Sequence, residues 1–133
     1  SVFPIRSLIY GFPGAPRFPY RMADHTLVEF PVSTLRFGGT TWPMAGGFYL
    51  RMLPYWATRW AIRRLNAQQQ PAILYLHPWE LDTEQQYAAV TARERLTHYG
   101  GRRGLEAKLH CLFRDFRFTT MGTLWTDFAD ADH

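Results

Sequence analysis

The sequence predicts an α/β fold, and three observations predict it. An apolar run from Pro71 to Leu76 stops abruptly at His77, apolar residues recur at helical spacing from Tyr49 to about Gln68, and a second helical pattern runs from Leu105 through Phe116. Shorter alternating segments lie around them, so that from residue 27 onward the order is strand, helix, strand, helix, strand. That order suits an α/β layer better than an all-helical bundle.

Taken in order, the first twenty-one residues carry Pro4, Pro13, Pro16 and Pro19 with Gly11 and Gly14, which forbids a long helix and predicts an ordered loop. Such a loop loses little entropy on ordering. It either holds Tyr10, Arg17, Phe18, Tyr20 and Arg21 beside a substrate or packs them as a surface arm. Leu27 to Pro31 and Thr34 to Phe37 read as two short strands. Trp42 to Gly47 reads as a turn, in which Gly46 and Gly47 let the backbone approach a neighbour closely or cradle an anion. No Lys or Ser/Thr completes a phosphate loop there, which favours a tight connection.

The helix from Tyr49 places Leu53, Trp56, Ala57 and Trp60 on one side and Tyr55, Arg59 and Arg63 along another. Pro54 falls in its first turn or kinks it. The arginine stripe reads first as a solvated face, and otherwise as a contact for phosphate, uronate or lipid headgroups. After His77, Gln85 to Tyr99 reads as a helix or a lid, broken by Gly100, Gly101 and Gly104. Leu105, Leu109, Leu112, Phe113 and Phe116 then mark the last helix, with Glu106 and His110 on its outer side. Phe116 to Thr120 alternates as a final strand, and Asp127, Asp130 and Asp132 form an acidic tail that either binds a cation or frays.

His77 is the residue most worth following. A strand's carboxyl end in an α/β fold opens on the mouth where ligands bind, so an imidazole there is a site candidate as well as a packing or capping residue. The two-residue period of a strand puts Tyr75 on the face of His77 and leaves Leu74 and Leu76 on the other. His77 and Glu80 have the spacing of a metal pair only if the segment is helical, and Pro78 argues against that. Trp79 either stacks on a pyranose ring or is buried.

Composition sets the outer bounds. A chain of 133 residues that is 47% hydrophobic can form one domain with a core. Five Trp, seven Tyr and ten Phe exceed what a small core needs, so part of the aromatic surface lines a sugar-facing groove or awaits a partner. The net charge of +4 comes from scattered arginines, with Lys108 the single lysine, and no nucleic-acid recognition motif accompanies them. Nucleic acid is therefore not expected as a partner. The lone Cys111 excludes an internal disulfide and reads as a small core residue. No run of eighteen apolar residues occurs, so no transmembrane segment is expected, and the location is left between bacterial cytoplasm and cell envelope.

The run Leu74 Tyr75 Leu76 His77 Pro78 Trp79 Glu80 resembles the last conserved motif of the polysaccharide deacetylases, whose histidine ends a barrel strand. The likeness extends over Ser1 to Arg6, Tyr10 and Gly11, Ala15 to Arg21, Glu29 to Pro31, Ser33 to Arg36, and Ala45 to Gly47. It continues from Arg51 through Leu53 to Trp56, at Arg64 and Asn66, and from Leu112 to Phe118. Ser7, Leu8 and Ile9 depart from the more polar residues expected before Tyr10. Together these residues are similar to the bacterial exopolysaccharide-locus subgroup that carries a C-terminal extension.

The resemblance implies the C-terminal part of a distorted (β/α) barrel plus a helical extension, with residues 1–133 as a single partial domain. It implies hydrolysis of N-acetyl or O-acetyl groups on a polysaccharide by a metal-bound water, with His77 as general acid and Tyr75, Trp79, Arg17 and Tyr20 on the substrate side. The divalent metal, expected to be zinc, would be held by motifs upstream of this chain, because no Asp-Asp dipeptide or close histidine pair is present. The expected partners are an acetylated polysaccharide and the upstream half of the same enzyme. This piece alone is expected to be inactive, and open strand edges predict that it is unstable or associates. The competing reading is a noncatalytic carbohydrate or envelope binding module, and a third is a basic peripheral protein on anionic surfaces.

Overall fold

A computed structural model describes Pro4 and residues 14–22, 27–84 and 90–130. Tyr10, residues 7–9, residues 85–89 and Asp132 lie outside the described residues. Among the described residues the architecture is mixed α/β with two small antiparallel sheets. Strand β1 (Tyr20–Arg21) pairs with β2 (Val28–Glu29), Tyr20 opposite Glu29. Strand β3 (Thr34–Phe37) pairs with β4 (Thr40–Pro43). Gly38 and Gly39 turn this hairpin with φ of 58° and 80°, the left-handed geometry that a two-residue connection between twisted strands requires. The turn expected at Trp42 to Gly47 therefore sits earlier, and Trp42 and Pro43 finish a strand instead.

Among the described residues five α-helices follow: α1 (Gly47–Met52), α2 (Tyr55–Asn66), α3 (Ala92–Tyr99), α4 (Arg102–Asp115) and α5 (Met121–Asp130). The single helix expected from Tyr49 is two, because Pro54 has no N–H to continue the ladder and serves as the cap of α2. Its buried face is also different. Leu53 lies before the break, and the complete i, i+3, i+4, i+7 set within α2 is Thr58, Ala61, Ile62 and Leu65. Trp56 and Trp60 are left outside, 71% and 51% exposed.

The core packs Val32, Leu35, Met44 and Ala45 against Ala61, Ile62 and Leu65 of α2 and Leu112 of α4. Gly101, with φ of 74°, makes the corner before α4, whereas Gly104 is accommodated inside that helix. Phe113 points outward from α4 and meets Phe118 edge to face at 4.8 Å. Phe116 to Thr120 forms no strand. It joins α4 to α5 without a ladder, and α5 takes in Asp127 and Asp130 of the expected tail.

The Pro71 to His77 segment is extended but is not a full strand. Ser33 N–H donates to Ile73 O at 3.1 Å, Tyr75 N–H donates to Ala45 O at 2.9 Å, and Gly46 and Tyr75 form one parallel bridge. Ile73 N–H is taken by the Ser33 hydroxyl at 2.7 Å, a side chain standing where a ladder would use a carbonyl. These bonds anchor the segment beside the start of α1 and carry His77 to the rim of a cleft.

Candidate functional site

The local structure at His77 follows from Pro78 and Glu80. Pro78 stands at the first position of a single 3₁₀ turn, Pro78–Glu80, where a missing N–H costs nothing and a fixed φ is preorganised. Glu80 N–H donates to His77 O at 3.0 Å to close the turn, and Glu80 Oε1 accepts the His77 backbone N–H at 3.1 Å. This is the return half of a capping box.

Glu80 is buried, its side chain only 3% exposed. Burying a carboxylate is costly unless it is paired, and Arg51 of α1 supplies the partner, Nε to Oε2 at 2.7 Å, itself buried. The remaining guanidinium donors reach Thr97 O at 2.8 Å, His98 O at 3.2 Å and Gly100 O at 2.6 Å. Arg51 thus satisfies the last carbonyls of α3, where a helix favours a cation. Gly47 makes room for the pair, since a Cβ there would stand 2.0 Å from Glu80 Oε1. The close approach expected at Gly46 and Gly47 is to this carboxylate.

Above the buried pair sits the His77 ring, its side chain 45% exposed. Nδ1 lies 3.3 Å from Glu80 Oε1 and Nε2 lies 2.8 Å from the Tyr75 hydroxyl. Trp79 stacks on the ring at 5.6 Å and 22°, and the Arg102 guanidinium lies over the Trp79 ring at 4.8 Å. A cleft of about 380 Å³ opens here, with Phe48, Tyr49, Tyr75, Trp79 and His98 among its walls. That volume is in the range of small-molecule sites, and half-exposed aromatics around one imidazole suit a sugar ring.

Tyr75, His77 and Trp79 therefore meet in one place. Arg17 and Tyr20 are not among the residues lining that cleft. Arg17 donates from Nε to Thr34 Oγ1 at 3.2 Å and from a terminal nitrogen to Thr34 O at 2.7 Å, and its guanidinium lies 5.1 Å from the Phe18 ring. Burial, with Arg36 nearby as a lesser cause, lowers its pKa from the ordinary arginine value. Tyr20 is held in β1 opposite Glu29. Arg17 is engaged as a packed arm would engage it.

Arg51 is the site member that the sequence did not single out, whereas Gly47 was read as a point of close approach and Glu80 as one half of a metal pair. Glu80 left a trace in the spacing His-Pro-x-Glu, which is that of a capped turn. His77 and Glu80 do come together, but as a pair: among the described residues no three of His, Cys, Asp and Glu converge to hold a metal ion. Of the arginine stripe on α2, Arg59 is not free. Its Nε lies 2.9 Å from Asp115 Oδ2, the same carboxylate to which the Tyr55 hydroxyl donates at 2.6 Å. Cys111 is half-buried on α4, in keeping with a packing role.

A family model matches residues 1–126, which takes in every element around the cleft. The chain belongs to the DUF3473 family. DUF3473 is described as a domain of unknown function, and it is found at the C-terminus of polysaccharide deacetylases. No curated protein and no solved structure matches the chain. Among the described residues of this DUF3473 chain, no helix is long and apolar enough to cross a membrane.

Proposed function

We propose that this DUF3473 chain is the C-terminal part of a metal-dependent polysaccharide deacetylase of the exopolysaccharide-locus subgroup. In this reading it closes a distorted (β/α) barrel and supplies His77 as the general acid. The observation that supports it best is the His77 ring at the cleft rim, with a carboxylate behind Nδ1 and an aromatic wall beside it. Cleaving an N-acetyl group must expel an amine, and an amide anion is too basic to leave unaided. Once water has added to the acetyl carbon and given one proton to a base of the upstream half, the imidazolium gives its Nε2 proton to the sugar nitrogen as the C–N bond breaks, releasing the free amine and acetic acid, which ionises to acetate, and the ring regains a proton from solvent. Tyr75 and Trp79 flank the ring that carries the acetamido group.

The described residues form no metal cage, so the divalent metal belongs, in this reading, to the upstream half of the same enzyme. The step assigned to His77 does not run through it. The second reading is a noncatalytic carbohydrate-binding module, favoured by the aromatic lining from Phe48, Tyr49, Tyr75 and Trp79.

The two separate on one comparison. The chain extended by its upstream sequence is assayed for acetate release from N-acetylglucosamine oligomers with added divalent metal, alongside His77→Ala and residues 1–133 alone. The deacetylase reading expects release by the extended protein, a loss of about 10²-fold or more in His77→Ala, and none from residues 1–133. Oligomer binding by residues 1–133 that survives His77→Ala, with no release from any form, would establish the module instead.

A further inference from the structure

We propose that Glu80, clamped by Arg51 and seated against Gly47, is a positioning residue that fixes His77 as the Nδ1–H tautomer and leaves Nε2 as the proton-exchanging nitrogen on the cleft side. The inference deepens the deacetylase reading and rests on it for its catalytic meaning, although the tautomer itself is a property of the fold. An ionised carboxylate can only accept hydrogen bonds. Oε2 accepts from Arg51 and Oε1 accepts the His77 backbone N–H, so Oε1 facing Nδ1 is attractive only if Nδ1 carries hydrogen. Nε2 is then the bare nitrogen, and the Tyr75 hydroxyl donates to it. When the ring gains its second proton, that proton enters at Nε2, and Tyr75 turns from donor to acceptor.

The carboxylate has little freedom to do otherwise. Arg51 is held on its far side by three carbonyls at the end of α3, so it cannot swing away from Glu80 without giving up its bonds to Thr97 O and Gly100 O, while His98 O also accepts from Arg102 Nε. Gly47 limits movement on another side, because the space of its missing Cβ is occupied by the carboxylate. A turn cap alone would need none of this, since an exposed Glu80 could accept the His77 N–H equally well. The burial and the arginine partner hold one carboxylate oxygen against a ring that is itself half-exposed. Other charged and titratable groups around the site are His98, which shares the cleft, and Arg51 and Arg102, which both lie over Trp79.

The test reads the imidazole nitrogens directly. Long-range proton–nitrogen NMR spectra of the chain labelled with ¹⁵N-histidine resolve the five rings, and His77 is assigned by its loss in His77→Gln. The neutral His77 ring is expected as Nδ1–H in the wild type and as a mixture or Nε2–H in Glu80→Gln. The double variant Glu80→Gln with Arg51→Met, which leaves no unpaired buried charge, is expected to match Glu80→Gln. Well-dispersed amide spectra confirm that the variants are folded. A wild-type His77 ring found as Nε2–H overturns the proposal whatever the variants do, and so does a tautomer unchanged in folded Glu80→Gln. If His77 is Nε2–H and acetate release still depends on it, the positioning role fails and the deacetylase reading stands. Nδ1–H without any release supports the positioning role and removes the reaction.

Discussion

Gly47 is the smallest residue at the site and one of the most constrained. Its substitution by alanine would drive a methyl into the Glu80 carboxylate, and with it into the Arg51 pair and the His77 turn. Gly47→Ala should lower unfolding stability by about 1–3 kcal/mol, as overpacking of a filled site does. The effect should largely vanish in a Glu80→Ala background, where the methyl has space. Urea unfolding of the four proteins measures this coupling, and additive effects would show that the two residues do not compete for the same volume. Legibility in the sequence divides at the same residues. That Tyr75 shares a face with His77 was readable because an extended segment repeats every two residues, while the site role of His77 and Trp79 came chiefly from the family resemblance. Arg51 was not readable, because it meets Glu80 across 29 residues and nothing local in a helix reveals which distant carboxylate an arginine will find.

Helix ends are held by cations from elsewhere in the chain. Arg51 of α1 caps α3, while Lys108 of α4 donates to Leu50 O and Leu53 O at the end of α1, its pKa lowered by burial. The contact between α2 and α4 is polar as well as apolar: Asp115 accepts from Tyr55 and from Arg114 and pairs with Arg59. The Tyr55 and Arg114 hydrogen bonds lower the Asp115 pKa from its ordinary value, and the neighbouring arginine charges add to this. A carboxylate depressed on folding contributes stability that is complete above its unfolded pKa and is lost as pH falls through the folded value. Wild type should therefore exceed Asp115→Asn in unfolding midpoint near neutrality, and the two should converge as the solution is acidified below the ordinary Asp range. A gap that stays constant with pH would remove Asp115 from this role.

The sequence misjudged elements where one pattern admitted two geometries. Apolar spacing ran straight through Pro54, although proline must interrupt the ladder, and this assigned the wrong face to α2. Alternation in Phe116 to Thr120 resembled a strand, but a strand needs a partner edge and none is paired with it there.

Across the whole molecule, the mixed α/β character followed from the order of segments, and the two-sheet arrangement did not. Hairpin closure at Gly38 and Gly39 and the stitching of residues 71–77 to Ser33 and Ala45 depend on long-range hydrogen bonds that periodicity does not encode. The aromatic excess is accounted for in part by the cleft and in part by surface: Trp42, Trp56, Trp60, Phe113 and Trp125 all stand exposed. In the deacetylase proposed for this chain, His77 delivers a proton to the leaving group. A proton donor matters in proportion to how poor the leaving group is. The decisive measurement is kcat/KM of the extended protein and its His77→Ala variant on two substrates, an N-acetylated glucosamine oligomer and an aryl acetate whose phenolate departs unprotonated. A loss of about 10²-fold or more is expected on the amide and a change of less than about tenfold on the aryl ester. An equal loss on both substrates, or none on the amide, would contradict the proposal.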